Sequence, residues 1–280
     1  MDRNIIIERL RNLITSGDTI IGAGCSAGIV AKCAELGGAD LIVCYSTGKS
    51  RIMGLKTESI WHSNSTTLDM YDEIKNVVKD TPIIAGVEAN DQTIYNLDVL
   101  VQRFIDRGFD GVINFPTQSD LEMRLPYIKK QNDTLGEAIK MPWGFSREVE
   151  MIRKFREKNI FTMCYVYTPE QSAQMVKAGA DVVCAHVGGT AGGLIGFAAD
   201  PMEESLENAQ KIMEGAWGID SNAICLAHGG PFAEPKDTKH LYEKTEAQGF
   251  VGASSIERIP IEKAVMETVK EFKNFKIKKK

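Results

Sequence analysis

The sequence lacks long apolar runs and an excess of positive charge. None of its apolar stretches approaches the roughly 20 residues that a helix needs to cross a bilayer, and charged residues interrupt segment 1–14, where a signal sequence would need an apolar core. Lysine and arginine total 33 against 38 acidic residues, a net charge of −5. Because nucleic-acid binding needs clustered basic residues, we expect partners that are neither nucleic acids nor membranes.

The sequence also lacks paired cysteines. Its 6 cysteines include no C-x-x-C pair, and most of them lie in apolar, strand-like runs. Buried, reduced thiols in a cytoplasmic protein are the favoured interpretation over disulfides or a zinc site.

What is present is a regular alternation of strand-like and helical segments. Short runs rich in valine, isoleucine and cysteine are predicted as strands that begin at residues 19, 40, 82, 110, 160, 181, 223 and 251. Between them lie amphipathic segments, among them 71–78, 97–106, 147–157 and 170–177. This order predicts the α/β class and a single (β/α)8 TIM barrel; an open, doubly wound sheet is the alternative.

We expect one domain over 1–280, with an N-terminal helix in 1–18 and a basic tail in 275–280. The tail is interpreted as a frayed, solvated terminus, with a phosphate-binding arm as the alternative.

The spacing of the predicted strands indicates a repeat. Adding 141 to the first four strand starts gives the last four. The turns repeat too, since 38–40 matches 179–181 and 108–111 resembles 249–252. Helix-to-strand turns favour glycine in general, which could produce the turn matches alone. The coincident spacing favours a pair of similar half-barrels.

Three predicted connections from strand to helix are long. They follow strands two, four and six and cover 45–66, 116–144 and 187–201. In a barrel they extend from the C-terminal face, where active sites are found, and long ordered loops are usually functional. We interpret 116–144, inserted between strand four and its helix, as a lid.

The ends of strands seven and eight carry an anion-binding pattern. Gly229 and Gly230 follow the seventh strand, and Ser254 and Ser255 follow the eighth. Glycines expose backbone N–H groups and serines add hydroxyl donors, which suits phosphate at the place where barrels often bind it. The alternative is a pair of tight turns and a serine cap on the next helix.

Two further segments are candidates for ligand contact. The glycine-rich segment 188–193 contains Thr190 and can approach a ligand closely, although a flexible spacer has the same composition. Lys49 and Arg51 place two cations in the second loop, where they could bind carboxylate or phosphate oxygens; a solvated charged loop is the alternative. With Arg51 in an exposed loop, replacing it by alanine is expected to leave stability unchanged.

Two of the four histidines end adjacent predicted strands. His186 and His228 could act as general acid and base or bind a metal, and Glu88, at the end of strand three, could supply a carboxylate. Structural, hydrogen-bonded histidines are the alternative. A metal site formed by two histidines and one carboxylate is a further alternative, but no spacing in the sequence requires it.

Several motifs together resemble the phosphoenolpyruvate hydrolase-like family, also described as a TIM-barrel signal-transduction family. The motifs are Asn114–Thr117, Glu148–Ile152, His228–Pro235 and Gly252–Arg258. The resemblance implies a barrel of the phosphoenolpyruvate/pyruvate type, whose members cleave C–C or P–C bonds of 2-oxo acids, commonly with magnesium. The sequence has no Asp-x-Asp pair after an early strand, which leaves the magnesium requirement and any metal ligands unknown. Lys49 stands where the family motif usually has arginine.

Together the residues and the resemblance predict a hydrolase or lyase acting on phosphoenolpyruvate, phosphonopyruvate or a related small phosphorylated 2-oxo acid. The expected catalytic residues are Glu88, His186 and His228. The expected substrate-binding residues are Lys49, Arg51, Asn114, Thr190, Gly229, Gly230, Ser254 and Ser255. A homo-oligomer is expected. The alternative function is a non-catalytic sensor that binds the same small anionic metabolite.

Overall fold

The computed structural model describes residues 1–58 and 61–278. Eight parallel strands close into a barrel in which each strand pairs with its neighbours in sequence and β8 pairs with β1. The strands are β1 (Ile20–Gly24), β2 (Leu41–Cys44), β3 (Ile83–Gly86), β4 (Gly111–Ile113), β5 (Phe161–Val166), β6 (Val182–His186), β7 (Ile224–His228) and β8 (Gly249–Gly252). The predicted (β/α)8 barrel is confirmed, and the open sheet is excluded.

Helices surround the barrel. They are α1 (Arg3–Ser16), α2 (Gly28–Leu36), α3 (Thr47–Ile52), α4 (Ser63–Lys75), α5 (Leu97–Arg107), α6 (Ser119–Arg124), α7 (Pro126–Ile139), α8 (Phe145–Glu157), α9 (Pro169–Lys177), α10 (Met202–Trp217), α11 (Pro235–Lys244) and α12 (Arg258–Lys273). The helix predicted over 71–78 instead ends at Lys75 and begins eight residues earlier than expected, at Ser63. None of the helices in the described ranges is long and apolar enough to cross a membrane.

The strands are apolar on both faces because each face is buried. On β2, Leu41 and Val43 belong to the cluster inside the barrel, whereas Ile42 and Cys44 belong to the cluster between barrel and helices. This alternation is the period of two that a strand imposes. Two buried faces produce the continuous apolar runs seen in the sequence. Helix α1 contributes Ile6 to the interior cluster.

The repeat spacing appears in the barrel itself. Strands β1, β2 and β3 each begin 141 residues before β5, β6 and β7, whereas β8 begins 138 residues after β4. The predicted strand starts are therefore correct to within one or two residues. The halves of the chain form corresponding halves of the barrel.

The long connections differ in what they contain. The second contains α3 and the beginning of α4, and the fourth contains α6 and α7, whereas 187–201 has no helix or strand. Residues 59 and 60 of the second connection, and Lys279 and Lys280 of the basic tail, lie outside the described residues. All 6 cysteines are free; five are buried, and Cys33 is exposed, contrary to the general expectation of burial.

Candidate functional site

A cavity of about 190 Å³ lies at the carboxyl ends of the strands. Its wall is formed by Tyr45, Arg51, Thr57, Phe115, Asp120, Tyr167, His186, Gly189, Thr190, Phe197, His228, Ala253 and Ser254. These residues follow or end six different strands, or belong to the three long connections. Two larger grooves, of about 450 and 400 Å³, lie on the outer surface between α2 and α12 and are mainly apolar. The smaller cavity has the polar groups and the position expected of a barrel active site.

The structure places His186 and His228 side by side in this wall. They occupy paired positions at the ends of β6 and β7, and their ring centroids are 4.5 Å apart. Each ring continues an inward-facing series, in which Cys184 precedes His186 and Leu226 precedes His228. The strand period therefore directs both imidazoles into the barrel.

The two rings have opposite hydrogen-bonding character. Nδ1 of His228 lies 2.6 Å from the carbonyl oxygen of Val251 and must donate to it, because a carbonyl can only accept. Nδ1 of His186 accepts the N–H of Gly188 at 3.1 Å. In the neutral rings this leaves Nε2 of His228 as an acceptor and Nε2 of His186 as a donor.

Burial keeps both rings neutral. It lowers the pKa of His228 to about 4 despite the hydrogen bond to Val251, which favours the charged form. Burial, together with neighbouring His228 and Arg124, lowers the pKa of His186 well below its ordinary value. At pH 7 the pair therefore presents one donor and one acceptor without positive charge.

Aromatic side chains surround the histidines. Tyr167 stacks on His186 with centroids 4.4 Å apart, and Tyr165 contacts both imidazoles. Burial raises the pKa of both tyrosines, so the hydroxyls stay protonated. The Tyr165 hydroxyl has no hydrogen-bond partner among the described residues. These two tyrosines and Tyr45 were not predicted from the sequence as site residues. Each lies at an alternate, inward-facing position of β5 or β2 or just after it, and this period of two could have identified them.

Arg51 lies in the cavity wall but not in an exposed loop. It belongs to α3, its side chain is 1% exposed, and its Nη2 lies 2.8 Å from Oε2 of Glu257. Its Nε also donates to the same oxygen at 3.1 Å, and the Ser26 backbone N–H donates to Oε1 of Glu257 at 2.6 Å. The expectation that Arg51 could be removed without affecting stability is therefore wrong, because its loss would leave a buried carboxylate unpaired.

The predicted anion-binding turns are only partly at the cavity. Ser254 lines it, as does Thr190, but the described lining residues do not include Gly229, Gly230 or Ser255. The Gly230 N–H already donates to the carbonyl of Gly188 at 2.9 Å. The hydroxyl of Ser255 is buried and unpaired in the described ranges.

Three other predicted residues lie away from the wall. The backbone N–H and C=O of Glu88 both bond to the side chain of Asn64 in the first turn of α4. Lys49 approaches Glu73, with Nζ 3.9 Å from Oε2. Asn114 is buried and bonds to Tyr165 and, at 2.6 Å, to Glu148.

The donor set does not fit a metal held by the protein. Glu88 does not join the two histidines, and the cavity wall contains Asp120 as its single carboxylate among the described residues. Glu257 is engaged by Arg51 and Ser26. No group of three or more histidine, cysteine or acidic residues suited to a metal ion occurs in the part of the chain that the structure describes.

The chain resembles two proteins of Solanum lycopersicum, the ToMV susceptible protein tm-1(GCR26) and the ToMV resistance protein Tm-1(GCR237). It is 36% identical to each over 278 residues, which is 97% of this chain but 36% of each relative. In structure it is similar to phosphonopyruvate hydrolase in complex with oxalate and Mg²⁺, with a TM-score of 0.61, 16% identity, and coverage of 96% of this chain and 87% of the other. A family model matches residues 5–275, and the chain belongs to the phosphoenolpyruvate hydrolase-like family.

Proposed function

We propose that the cavity binds a small phosphorylated 2-oxo acid, such as phosphoenolpyruvate or phosphonopyruvate, and that the chain is a hydrolase or lyase for it. The observation that carries the proposal is the neutral pair of His186 and His228, with one donor and one acceptor in the wall of a small cavity that also contains Arg51. The names of the family and of the structural neighbour support the same substrate class.

The size of the cavity favours a small ligand. Its volume of about 190 Å³ is below the roughly 300–1,000 Å³ of pockets that hold drug-sized molecules. A three-carbon acid with one phosphoryl group belongs to the class of small ligands that this volume favours. Thr190 and Ser254 add hydroxyls to the wall, and both are at most 5% exposed.

The hydrogen bonds of the two histidines support a different role for each. As water attacks the phosphoryl group, Nε2 of His228 would accept a proton from that water. The bond between phosphorus and the 2-oxo acid would then break, and Nε2–H of His186 would stabilise the developing enolate oxygen. The proton held by Nε2 of His228 then passes to the enolate carbon, which completes pyruvate and restores the neutral imidazole, and inorganic phosphate leaves. Arg51 would donate to a carboxylate or phosphoryl oxygen while Glu257 holds its guanidinium in place.

A non-catalytic sensor is the second candidate. Arg51 is paired with Glu257 and both histidines are neutral, so the described cavity wall offers little positive charge, beyond that used in binding, to stabilise the charge that develops in a transition state. The chain also spans 36% of the length of relatives named for virus susceptibility and resistance. On this alternative, the metabolite binds and changes the conformation of segment 188–197 without being converted. A cytoplasmic location is retained as part of either proposal.

The test combines binding with turnover. We expect oxalate and phosphoenolpyruvate, with and without Mg²⁺, to raise the melting temperature of the parent protein, because a ligand that binds only the folded state stabilises it. Release of inorganic phosphate and pyruvate from phosphoenolpyruvate or phosphonopyruvate would distinguish the enzyme from the sensor.

His228→Gln should lower turnover by about 100-fold or more, the usual contribution of a general base. The control is His240→Gln, a change on the exposed surface of α11. Equal loss in both variants would contradict the role of His228. Ligand-induced stabilisation without product would favour the sensor.

A further inference from the structure

The glycine-rich segment 188–197 forms one wall of the cavity. Gly189, Thr190 and Phe197 line the cavity. The ring of Phe197 lies so close to Gly189 that a Cβ there would overlap it. Three glycines of the segment have left-handed φ angles, namely Gly188 (115°), Gly192 (76°) and Gly193 (68°). Because glycine loses more conformational freedom than other residues when it is ordered, this wall needs contacts that hold it.

The first half of the segment is tied to the turn after β7. The N–H of Ala191 donates to the carbonyl of Gly230 at 2.9 Å, and the N–H of Gly230 donates to the carbonyl of Gly188 at 2.9 Å. The N–H of Phe197 returns to the carbonyl of Thr190 at 3.1 Å. None of these bonds involves residues 192–196.

Residues 192–196 are instead contacted by the first two turns of α12. Nη2 of Arg258 donates to the carbonyl of Gly192 at 3.1 Å, and the N–H of Leu194 donates to Oε2 of Glu262 at 2.9 Å. The two side chains are themselves paired, with Nη1 2.9 Å from Oε1. A Cβ on Gly193 would overlap both side chains, so the backbone packs directly on the pair.

We propose that Arg258 and Glu262 are positioning residues that hold segment 188–197 against the barrel and so keep Gly189, Thr190 and Phe197 in the cavity wall. Their side chains are only 4% and 14% exposed, so the ion pair between them is less screened by water than a surface pair. The effect of this contact on ligand binding rests on the proposed function, but its effect on the order of the segment does not.

Hydrogen exchange of the unliganded protein tests the contact directly. In Glu262→Ala the Leu194 N–H loses its acceptor, and we expect it to exchange about tenfold faster, the change that corresponds to losing one hydrogen bond to a charged group. Exchange at Ala185, inside β6, should stay unchanged. Glu267→Ala is the matched control, since it removes an exposed carboxylate from the same helix.

Two further variants keep the test decisive. Glu262→Gln retains an acceptor oxygen and should restore most of the protection at Leu194. Arg258→Ala releases the Gly192 carbonyl and should also accelerate exchange in 192–196; if it does not fold, Glu262→Ala decides the question. Exchange at Leu194 that is the same in Glu262→Ala, Glu267→Ala and the parent would overturn the proposal.

Oxalate binding separates this inference from the proposed function. If the parent binds oxalate, we expect Glu262→Ala to bind it about tenfold more weakly than Glu267→Ala, because binding must then order the wall again. Equal affinities despite faster exchange would overturn the positioning role. If the parent does not bind oxalate and Leu194 still exchanges faster in Glu262→Ala, the contact is supported and the proposed function fails.

Discussion

At the scale of single residues, the buried ion pair of Arg51 and Glu257 stabilises the fold and also contributes Arg51 to the wall of the candidate site. Both side chains are at most 1% exposed, and they come from α3 and the start of α12, 206 positions apart in the sequence. Burial removes hydration from both charges, and their mutual hydrogen bonds compensate for that loss. The guanidinium also lies 5.5 Å from the centre of the Tyr45 ring.

Arg51→Ala should destabilise the protein by about 3–5 kcal/mol, because it leaves the Glu257 carboxylate buried without its partner. Urea denaturation would measure this change. Lys49→Ala, on the same short helix but more exposed, should change stability by less than about 0.5 kcal/mol. Replacing both members of the pair, as in Arg51→Met with Glu257→Leu, should recover part of the loss. Equal stabilities of Arg51→Ala and Lys49→Ala would contradict the structural role.

At the scale of elements, α8 holds the loop that follows β4. The Glu148 carboxyl group accepts the backbone N–H of Gln118 at 2.5 Å, the hydroxyl of Thr117 at 2.7 Å and the amide of Asn114 at 2.6 Å. This loop leads from the cavity residue Phe115 into α6 and α7, the segment interpreted as a lid. Asn114, predicted as a substrate ligand, instead belongs to this network.

The buried carboxyl group of Glu148 predicts a loss of stability with rising pH. Burial raises its pKa from near 4.5 to about 8, although its three donors favour the charged form. Below about pH 4.5 both the folded and the unfolded states are protonated. Between about 4.5 and 8 the unfolded state loses the proton first, so this group lowers the free energy of unfolding as the pH rises. Above about pH 8 its contribution is constant.

Glu148→Gln should remove this part of the pH dependence, because the amide resembles the protonated acid. Urea unfolding at pH 5 and pH 8 would measure it, and the variant should lose less stability than the parent across that interval. Glu150→Gln, on the same helix but paired with Arg153, serves as the control. An unchanged slope in Glu148→Gln would show that Glu148 ionises normally in the folded protein.

At the scale of the whole molecule, α12 leaves an apolar surface uncovered. Val265, Val269 and Phe272 are 57%, 55% and 74% exposed. They lie on the helix that borders the apolar grooves next to α2. A twofold symmetric contact places the same patch on both subunits, so each helix could fill the groove of the other. The expected homo-oligomer therefore remains a prediction, with α12 as its contact.

Sedimentation equilibrium should give about twice the mass of the 30.9 kDa chain. A double substitution, Val269→Lys with Phe272→Lys, should yield the monomer, because charges in an apolar contact are costly to bury. Substituting Lys270→Glu on the same helix is the control for a change of charge alone. A parent that sediments as a monomer at all concentrations would contradict the prediction.

The barrel fold and the position of the cavity at the carboxyl ends of the strands could be predicted from local patterns. Alternation of strand and helix, with the same spacing in both halves, favours the closed sheet, and the pairing of β8 with β1 excludes the open one. Parallel strands place all their carboxyl ends on one side. His186 and His228 were therefore recognisable, since each ends a strand in the inward-facing register. The same period applied to β2 and β5 would have identified Tyr45 and Tyr167.

The chemical state of the site depended on contacts between distant segments. Val251 determines which nitrogen of His228 carries the proton, and Glu257 pairs with Arg51 in a buried ion pair. The Asn64 side chain bonds to the backbone of Glu88, which is not among the described residues of the cavity wall. A local pattern specifies the direction of a side chain through the strand period. Protonation, pairing and desolvation depend on which other groups lie within hydrogen-bonding distance and on how much water is excluded, and folding alone brings those groups together.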